Sequence, residues 1–137
     1  MEAKEKIKYY YETVVTNGLL DEVPEYVSDA CMQRTGEKSF PLGVDGMKQH
    51  IANVRKTYPD LTITIIRQYS DGDYIVSEFI AEATHKGEWL GMKPTGKRLS
   101  FIGVDIDKIV NGKIAEHSGV MNTFETLFEA KIIQPAP

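Results

Sequence analysis

The sequence has a single cysteine, Cys31, in 137 residues. One thiol excludes an internal disulfide framework and a metal site built from several thiolates. There are only three histidines, and none has the helical His-Glu-x-x-His spacing of a zinc site. No apolar run approaches the roughly 18 residues that a membrane-spanning helix needs. We therefore expect no disulfide, no metal and no membrane partner.

An excess of basic residues is also missing. The chain has 16 lysines and arginines against 20 aspartates and glutamates, and its formal net charge is −4. Without a basic stripe, nucleic acid is not the expected partner. The first residues run directly into charge and lack an apolar signal core. Length and a hydrophobic fraction of 42% are typical of one globular domain, so we expect a single cytoplasmic domain over residues 1–137.

The first half of the chain has helical periodicity. The second helix is predicted to begin near Asp45 as N-cap and to end at Tyr58, before Pro59. Between the two helices we expect a helical turn over 21–27, a short strand over 29–34 and a loop over 35–43. The first helix should end near Asn17-Gly18, and its apolar stripe comprises Ile7, Tyr10, Tyr11, Val14 and Val15.

From Leu61 onward the apolar period changes to two. Strands are predicted over 61–67, 74–85, 98–110 and 113–121, with hairpin turns at 71–73 and 111–112. Residues 122–131 fit either a closing helix or a further strand. Helices followed by an antiparallel meander predict an α+β fold, in which a curved sheet wraps over the helices.

Asp105 lies in a predicted strand that is apolar on both faces and therefore central. A charged carboxylate there costs several kcal/mol unless it is paired or protonated. A two-residue turn at 111–112 would place Asp107 opposite Glu116, which is a like-charge pair. A three-residue loop over 110–112 would instead place Asp105 opposite His117. We adopt this second register as a hypothesis, and it also pairs Gly103 with Gly119 and Phe101 with Met121.

Asp105 and His117 are the candidate catalytic residues. A carboxylate beside an imidazole forms a proton acceptor and donor that titrates near neutral pH. The glycines at 103 and 119 would leave space for a pocket beside the pair. The alternative interpretation is a structural polar pair that stabilises the core or a dimer contact.

The apolar side chains of a ligand pocket are expected among the aromatic residues and methionines, although each of them could simply fill the core. His85 closes the apolar face of its strand and could reach the pocket, whereas His50 is expected to be solvated. The candidate substrate-binding residues are His85, Phe79, Phe101, Met121, Tyr58, Trp89, Met32 and Met47, and Tyr10 and Tyr11 are further candidates for the lining.

Two stretches carry a family resemblance. Residues 84–97, THKGEWLGMKPTGK, resemble the T-H-x-G-E-x-x-G-x-x-P-T-G-[KR] stretch of SnoaL-like polyketide cyclases. Residues 101–106, FIGVDI, and 110–117, VNGKIAEH, resemble the next two strands of that family in order and spacing. The resemblance covers most of the chain.

This resemblance implies a nuclear transport factor 2-like cone: a strongly curved antiparallel sheet closed by N-terminal helices around a deep apolar pocket. It also implies homodimers packed through the sheet. Cyclases of this family close a ring by intramolecular aldol addition, with an aspartate base and without a metal or organic cofactor. Aligned on the turn at 112–114, the family's catalytic aspartate falls at Gly119 and its pocket histidine at Asp105.

Three functions are therefore open, and one of them is a partner-binding scaffold whose polar outer face is the interface. In the enzymatic case, acid–base work has moved to Asp105 and His117, and the chain performs cofactor-independent aldol cyclisation or isomerisation on an apolar, carbonyl-bearing small molecule. Otherwise the pocket serves a non-catalytic carrier or sensor of the same fold.

Overall fold

A computed structural model describes residues 2–137; Met1, at which the predicted single domain begins, lies outside the described residues. The architecture is α+β, as predicted: one curved, unclosed six-stranded sheet and a set of helices on its inner face. The helices are α1 (Ala3–Tyr9), a π-helix (Tyr10–Val15), a 3₁₀-helix (Leu20–Glu25), α2 (Gly43–Thr57) and α3 (Thr123–Glu129).

The N-terminal rod, residues 3–15, consists of α1 followed directly by the π-helix. The predicted apolar stripe is present, and Ile7, Tyr10, Tyr11 and Val14 are buried. The π-helix was not predicted, because apolar spacing does not distinguish it from an α-helix. Its wider turn is accompanied by a hydrogen bond over five residues, in which the Thr16 hydroxyl donates to the Tyr11 carbonyl at 3.0 Å.

The strands are β1 (Val27–Thr35), β2 (Lys38–Pro41), β3 (Thr62–Asp71), β4 (Tyr74–Thr84), β5 (Arg98–Val110) and β6 (Lys113–Met121). They lie in the order β2-β1-β6-β5-β4-β3, and every neighbouring pair is antiparallel except β1 and β6. The loop predicted over 35–43 was wrong, since β2 pairs with β1 in a hairpin there. All four β2 residues are exposed, so no apolar alternation indicates this strand.

The register predicted for the last hairpin was wrong. Asn111 and Gly112 both have positive φ, 52° and 76°, and form a two-residue turn that pairs Val110 with Lys113. Ala115 is then an extra residue in β6, and this β-bulge shifts the pairing by one. Asp107 therefore lies opposite His117, Asp105 opposite Gly119, and Gly103 opposite Met121.

The two remaining helices close the sheet. α2 begins at Gly43, two residues before the predicted N-cap Asp45, which lies in the first turn instead. It ends before Tyr58, as predicted. Residues 123–129 form α3, which settles the open choice between helix and strand. No helix within residues 2–137 is long and apolar enough to cross a membrane.

Candidate active site

A cavity of about 330 Å³ lies between the inner face of the sheet and the helices. That volume falls in the usual range of small-molecule pockets, and its wall is mainly apolar. Eight of the ten predicted site residues line it: Asp105, His117, Phe79, Phe101, Met121, Tyr58, Trp89 and Met47. His50 and Met121 belong to the lining and are also exposed to solvent, which places the opening near the start of α3.

Two predicted residues, His85 and Met32, are not part of the cavity wall. His85 is buried, its ring centroid lies 6.1 Å from that of Tyr58, and its Nδ1 lies 3.1 Å from the Thr95 hydroxyl. It therefore sits one layer behind the wall and anchors the loop between β4 and β5. Met32 lies on β1, where it pairs with Pro41 and Glu116.

Asp105 is a carboxyl group without a hydrogen-bond partner among residues 2–137. Burial raises its pKa to about 7, the charge of Asp107 adds to this, and the nearby charge of His117 opposes it. The group thus exchanges its proton near neutral pH. A carboxyl group of this kind can accept a proton from a ligand and return it.

His117 is held by a buried carboxylate. Its Nδ1 lies 2.7 Å from Asp107 Oδ1, and Asp107 is fully buried. The Tyr11 hydroxyl donates to Asp107 Oδ2 at 2.6 Å and lies 3.4 Å from His117 Nδ1. The imidazole is therefore fixed through one nitrogen only, and its side chain is 13% exposed.

Burial and charge act in opposite directions on His117. Burial alone would lower its pKa, but the hydrogen bond to Asp107 and the charges of Asp107 and Asp105 raise it above the ordinary histidine value. The pKa of Tyr11 is raised by burial and by the same two carboxylates, so its phenol stays protonated and acts as a donor. The site thus holds an imidazole whose protonated form is favoured by two carboxylates, beside an acid that titrates near neutrality.

The two glycines serve a different purpose from the one predicted. A Cβ at Gly119 would overlap Asp105 Oδ1, so the missing side chain makes room for the carboxyl group. A Cβ at Gly103 would lie 2.5 Å from Phe79 Cζ and 2.7 Å from Met121 Cβ. Neither glycine leaves empty space, because neighbouring side chains lie across both.

The role of Asp107 and the place of His50 in the cavity wall were not predicted from the sequence. Asp107 follows the same pattern as Asp105, an acid in a central strand, but the wrong register gave it no partner. His50 was expected to be solvated and is exposed, but it also lines the cavity, and burial followed by the charge of His117 lowers its pKa. Tyr10, which was a candidate for the lining, is fully buried and lines the cavity, and its hydroxyl has no hydrogen-bond partner among residues 2–137.

The donor set does not form a recognisable cation site. Within residues 2–137, no group of three or more histidine, cysteine, aspartate or glutamate side chains is arranged to hold a metal ion. Cys31 is buried, and burial raises the pKa of its thiol to about 11. It is therefore a protonated core residue rather than an activated nucleophile.

Comparison with known proteins shows which family the chain belongs to. The sequence profile of the SnoaL-like polyketide cyclases matches residues 5–129. The chain belongs to this family. One curated relative, the nogalonic acid methyl ester cyclase of Streptomyces nogalater, is 29% identical over 102 residues, which cover 73% of this chain and 76% of the relative.

Solved structures confirm the nuclear transport factor 2-like fold of this SnoaL-like protein. A SnoaL-like polyketide cyclase from Agrobacterium tumefaciens superposes with a TM-score of 0.81 at 17% identity, covering 96% of this chain and 98% of the other. IdmH from Streptomyces antibioticus gives a TM-score of 0.81 at 20% identity, covering 96% and 99%. At such identities the likeness concerns the fold alone.

Proposed function

We propose that this SnoaL-like protein catalyses acid–base chemistry on an apolar small molecule that carries a carbonyl group. The observation that carries the proposal is the Asp105 carboxyl group, which has no hydrogen-bond partner among residues 2–137, lies in the wall of a mainly apolar cavity and has its pKa raised to about 7 by burial. A general base is most effective when its pKa lies near the working pH. The reaction as proposed requires no cofactor.

In the proposed first step, Asp105 takes a proton from a carbon next to the ligand's carbonyl group. The electron pair of that C–H bond moves onto the carbonyl oxygen and forms an enolate. His117, whose protonated form is favoured by Asp107, donates a hydrogen bond to this oxygen and stabilises the developing negative charge. The mainly apolar wall strengthens this interaction by excluding water.

In the aldol version, the enolate carbon then forms a bond to a second carbonyl carbon of the same molecule. The C=O electron pair of that carbonyl becomes an alkoxide, which takes the proton that Asp105 now holds. In the isomerase version, the proton returns to a different carbon of the enolate. Both versions are redox-neutral and return Asp105 to its starting state.

The site geometry also supports a catalytic base that has moved from β6 to the neighbouring strand β5. The resemblance places the family's catalytic aspartate at Gly119, and Gly119 lies directly opposite Asp105 in the β5–β6 register. The Asp105 carboxyl group occupies the space that a side chain at 119 would fill. An acid on the facing strand therefore reaches the volume vacated by the glycine.

The test is exchange of carbon-bound hydrogen in D₂O. Probes are nogalonic acid methyl ester, chosen because a relative is named for it, and smaller aromatic β-keto esters. Mass spectrometry should show deuterium entering next to the carbonyl with the native protein. Asp105→Asn should slow this about 10²–10⁴-fold while the probe still binds.

The matched control is Asp71→Asn, which makes the same acid-to-amide change at an exposed position at the end of β3. It should leave the exchange rate unchanged. Undiminished exchange in Asp105→Asn would overturn the assignment of the base. Tight binding of the probes without any exchange would overturn catalysis and favour a carrier.

A further inference from the structure

We propose that Asp107 and Tyr11 are positioning residues that hold His117 by its Nδ1–H and thereby direct its Nε2–H to the oxygen of a ligand in the cavity. The part of this statement that concerns the ligand rests on the function proposed above. The part that concerns the imidazole does not, and it can be tested on the protein alone.

The geometry fixes which nitrogen is free. Asp107 Oδ1 lies 2.7 Å from His117 Nδ1, and among residues 2–137 the other ring nitrogen, Nε2, has no hydrogen-bond partner. The partner on one ring nitrogen sets the tautomer and therefore the role of the other nitrogen. Because His117 lines the cavity, the unpartnered Nε2 is the atom available to a ligand.

Tyr11 fixes the carboxylate in turn. Its hydroxyl donates to Asp107 Oδ2 at 2.6 Å, so the two oxygens of Asp107 have different partners, the phenol and the imidazole. Asp107 is fully buried and cannot be solvated instead. A buried carboxylate with both oxygens bound cannot rotate without breaking a hydrogen bond, and this restrains the imidazole ring.

The two aspartates of β5 therefore have separate tasks. They are two residues apart on one strand and point to the same side of the sheet, but only Asp107 is hydrogen-bonded to the imidazole. Asp105 has no such bond and remains free to exchange its proton. This separation explains why one strand carries two acids in an otherwise apolar environment.

Charged and titratable groups from the π-helix, β1, α2, β5 and β6 affect the ionisation of His117. The Asp105 and Asp107 carboxylates favour the imidazolium, whereas His50 on α2 opposes it if charged. The phenols and the thiol nearby are neutral at physiological pH, because burial raises their pKa values. Glu116, next in the chain, is paired with Arg34 at 3.0 Å. The groups are Tyr10, Tyr11, Cys31, His50, Asp105, Asp107 and the Arg34–Glu116 pair.

The experiment is a ¹⁵N NMR titration of the three histidine rings in the ligand-free protein, assigned by single histidine replacements. In the native protein, the neutral form of His117 should carry its proton on Nδ1. Asp107→Asn should lower the His117 pKa by about 1 to 3 pH units, because the facing charge is lost. Its amide oxygen still accepts a hydrogen bond, so the Nδ1–H tautomer should persist.

Asp107→Ala should lower the pKa and also remove the tautomer preference, because it leaves no acceptor. Tyr11→Phe keeps the acceptor and frees Asp107 Oδ2, so the His117 pKa should not fall, but the ring signals should broaden. The His85 resonances are the internal control, since His85 bonds to Thr95 instead. They should be unchanged in all three variants and so report a native fold.

An unchanged His117 pKa in Asp107→Asn, or an Nε2–H tautomer in the native protein, would overturn the proposal. If Asp107 variants fail to fold, the native tautomer and Tyr11→Phe still decide it. Failure of the deuterium-exchange test with an intact Nδ1–H tautomer would remove the proposed function and leave this positioning role standing.

Discussion

At the scale of single residues, the protein has an aspartate, Asp105, at a buried position where an ionised carboxylate is unfavourable. Asp105 lines a mainly apolar cavity and lies near the Asp107 carboxylate. Among residues 2–137, the one nearby charge that lowers its pKa is that of His117, to which it is not hydrogen-bonded. Stability would be served better by a neutral residue at this position. The conflict between local stability and a retained acid is typical of functional sites.

This cost should appear as a pH dependence of folding. The pKa of Asp105 is raised to about 7 in the folded state, against about 3.9 in the unfolded chain. At pH values between these two pKa values, the Asp105 carboxyl group is deprotonated in the unfolded chain and protonated in the folded protein. The free energy of unfolding therefore falls as pH rises, by up to about 1.4 kcal/mol per pH unit. Asp105→Asn removes this loss.

Urea unfolding at pH 5 and pH 8 measures the effect. The stability of Asp105→Asn relative to the native protein should be greater at pH 8 than at pH 5 by about 2–3 kcal/mol. Asp71→Asn should show no such gain. A gain that is the same at both pH values would mean that Asp105 is already ionised at pH 5 in the folded protein.

The residue types of the site were readable from the sequence, but their partners were not. An acid in a central strand and a histidine in the next strand indicated a site, and both line the cavity. The partner of His117 depended on one extra residue, Ala115, which shifts the register by one. A bulge of this kind has no composition signal in a sequence such as Lys-Ile-Ala-Glu, so His117 was paired with Asp105 instead of Asp107.

At the scale of elements, bulges and helix geometry shape the cavity. β3 has a second bulge at Ile66, where the pairing with β4 also shifts by one. Next to it, the Ile65 N–H donates to the Glu12 carboxylate at 2.9 Å and the Ile63 N–H donates to the Thr16 hydroxyl at 3.0 Å. These bonds fix the N-terminal rod against the sheet and hold Tyr11 above β5 and β6.

His85 holds the two ends of the loop between β4 and β5 together. The Nδ1 of His85 and the Thr95 hydroxyl lie 3.1 Å apart, the His85 N–H donates to the Lys97 carbonyl, and the Gly96 N–H donates to the His85 carbonyl. Trp89, in the middle of this loop, lines the cavity. The histidine predicted to touch a ligand therefore supports a loop that contributes Trp89 to the cavity wall.

Thr95→Val should loosen the two ends of the β4–β5 loop. The substitution removes the hydrogen-bond partner of His85 Nδ1 and the acceptor for the Lys97 N–H. Loss of about 1 kcal/mol would speed amide exchange at Gly96 and Lys97 about fivefold. Thr64→Val, on the exposed side of β3, is the control and should leave these amides unchanged. Equal exchange in both variants, measured by NMR, would show that the Thr95 contact does not hold the loop.

At the scale of the whole molecule, periodicity predicted most of the architecture. Five of the six strands, both long helices and the α+β order followed from apolar spacing and turn residues, because these depend on burial of one face. β2 was missed because it is exposed throughout. The parallel pairing of β1 with β6 and the π-helix were also missed, since neither changes the apolar pattern.

The cavity itself could not be predicted from spacing, because the same aromatic residues and methionines serve equally well as core. Phe101 and Met47 line it, while Met32 lies elsewhere. What separates the two outcomes is how far the curved sheet stands from α2 and the N-terminal rod. That distance depends on bulges and on tertiary contacts rather than on any local pattern.

The most direct test of the account is a ¹³C NMR titration of the Asp105 carboxyl carbon in the ligand-free protein, with the resonance assigned by its loss in Asp105→Asn. The midpoint should lie near pH 7, which corresponds to an acid kept in a cavity with little water. A midpoint near 4, as in a solvated aspartate, would contradict it, because Asp105 would then be fully charged at neutral pH and too weak a base for the proposed reaction.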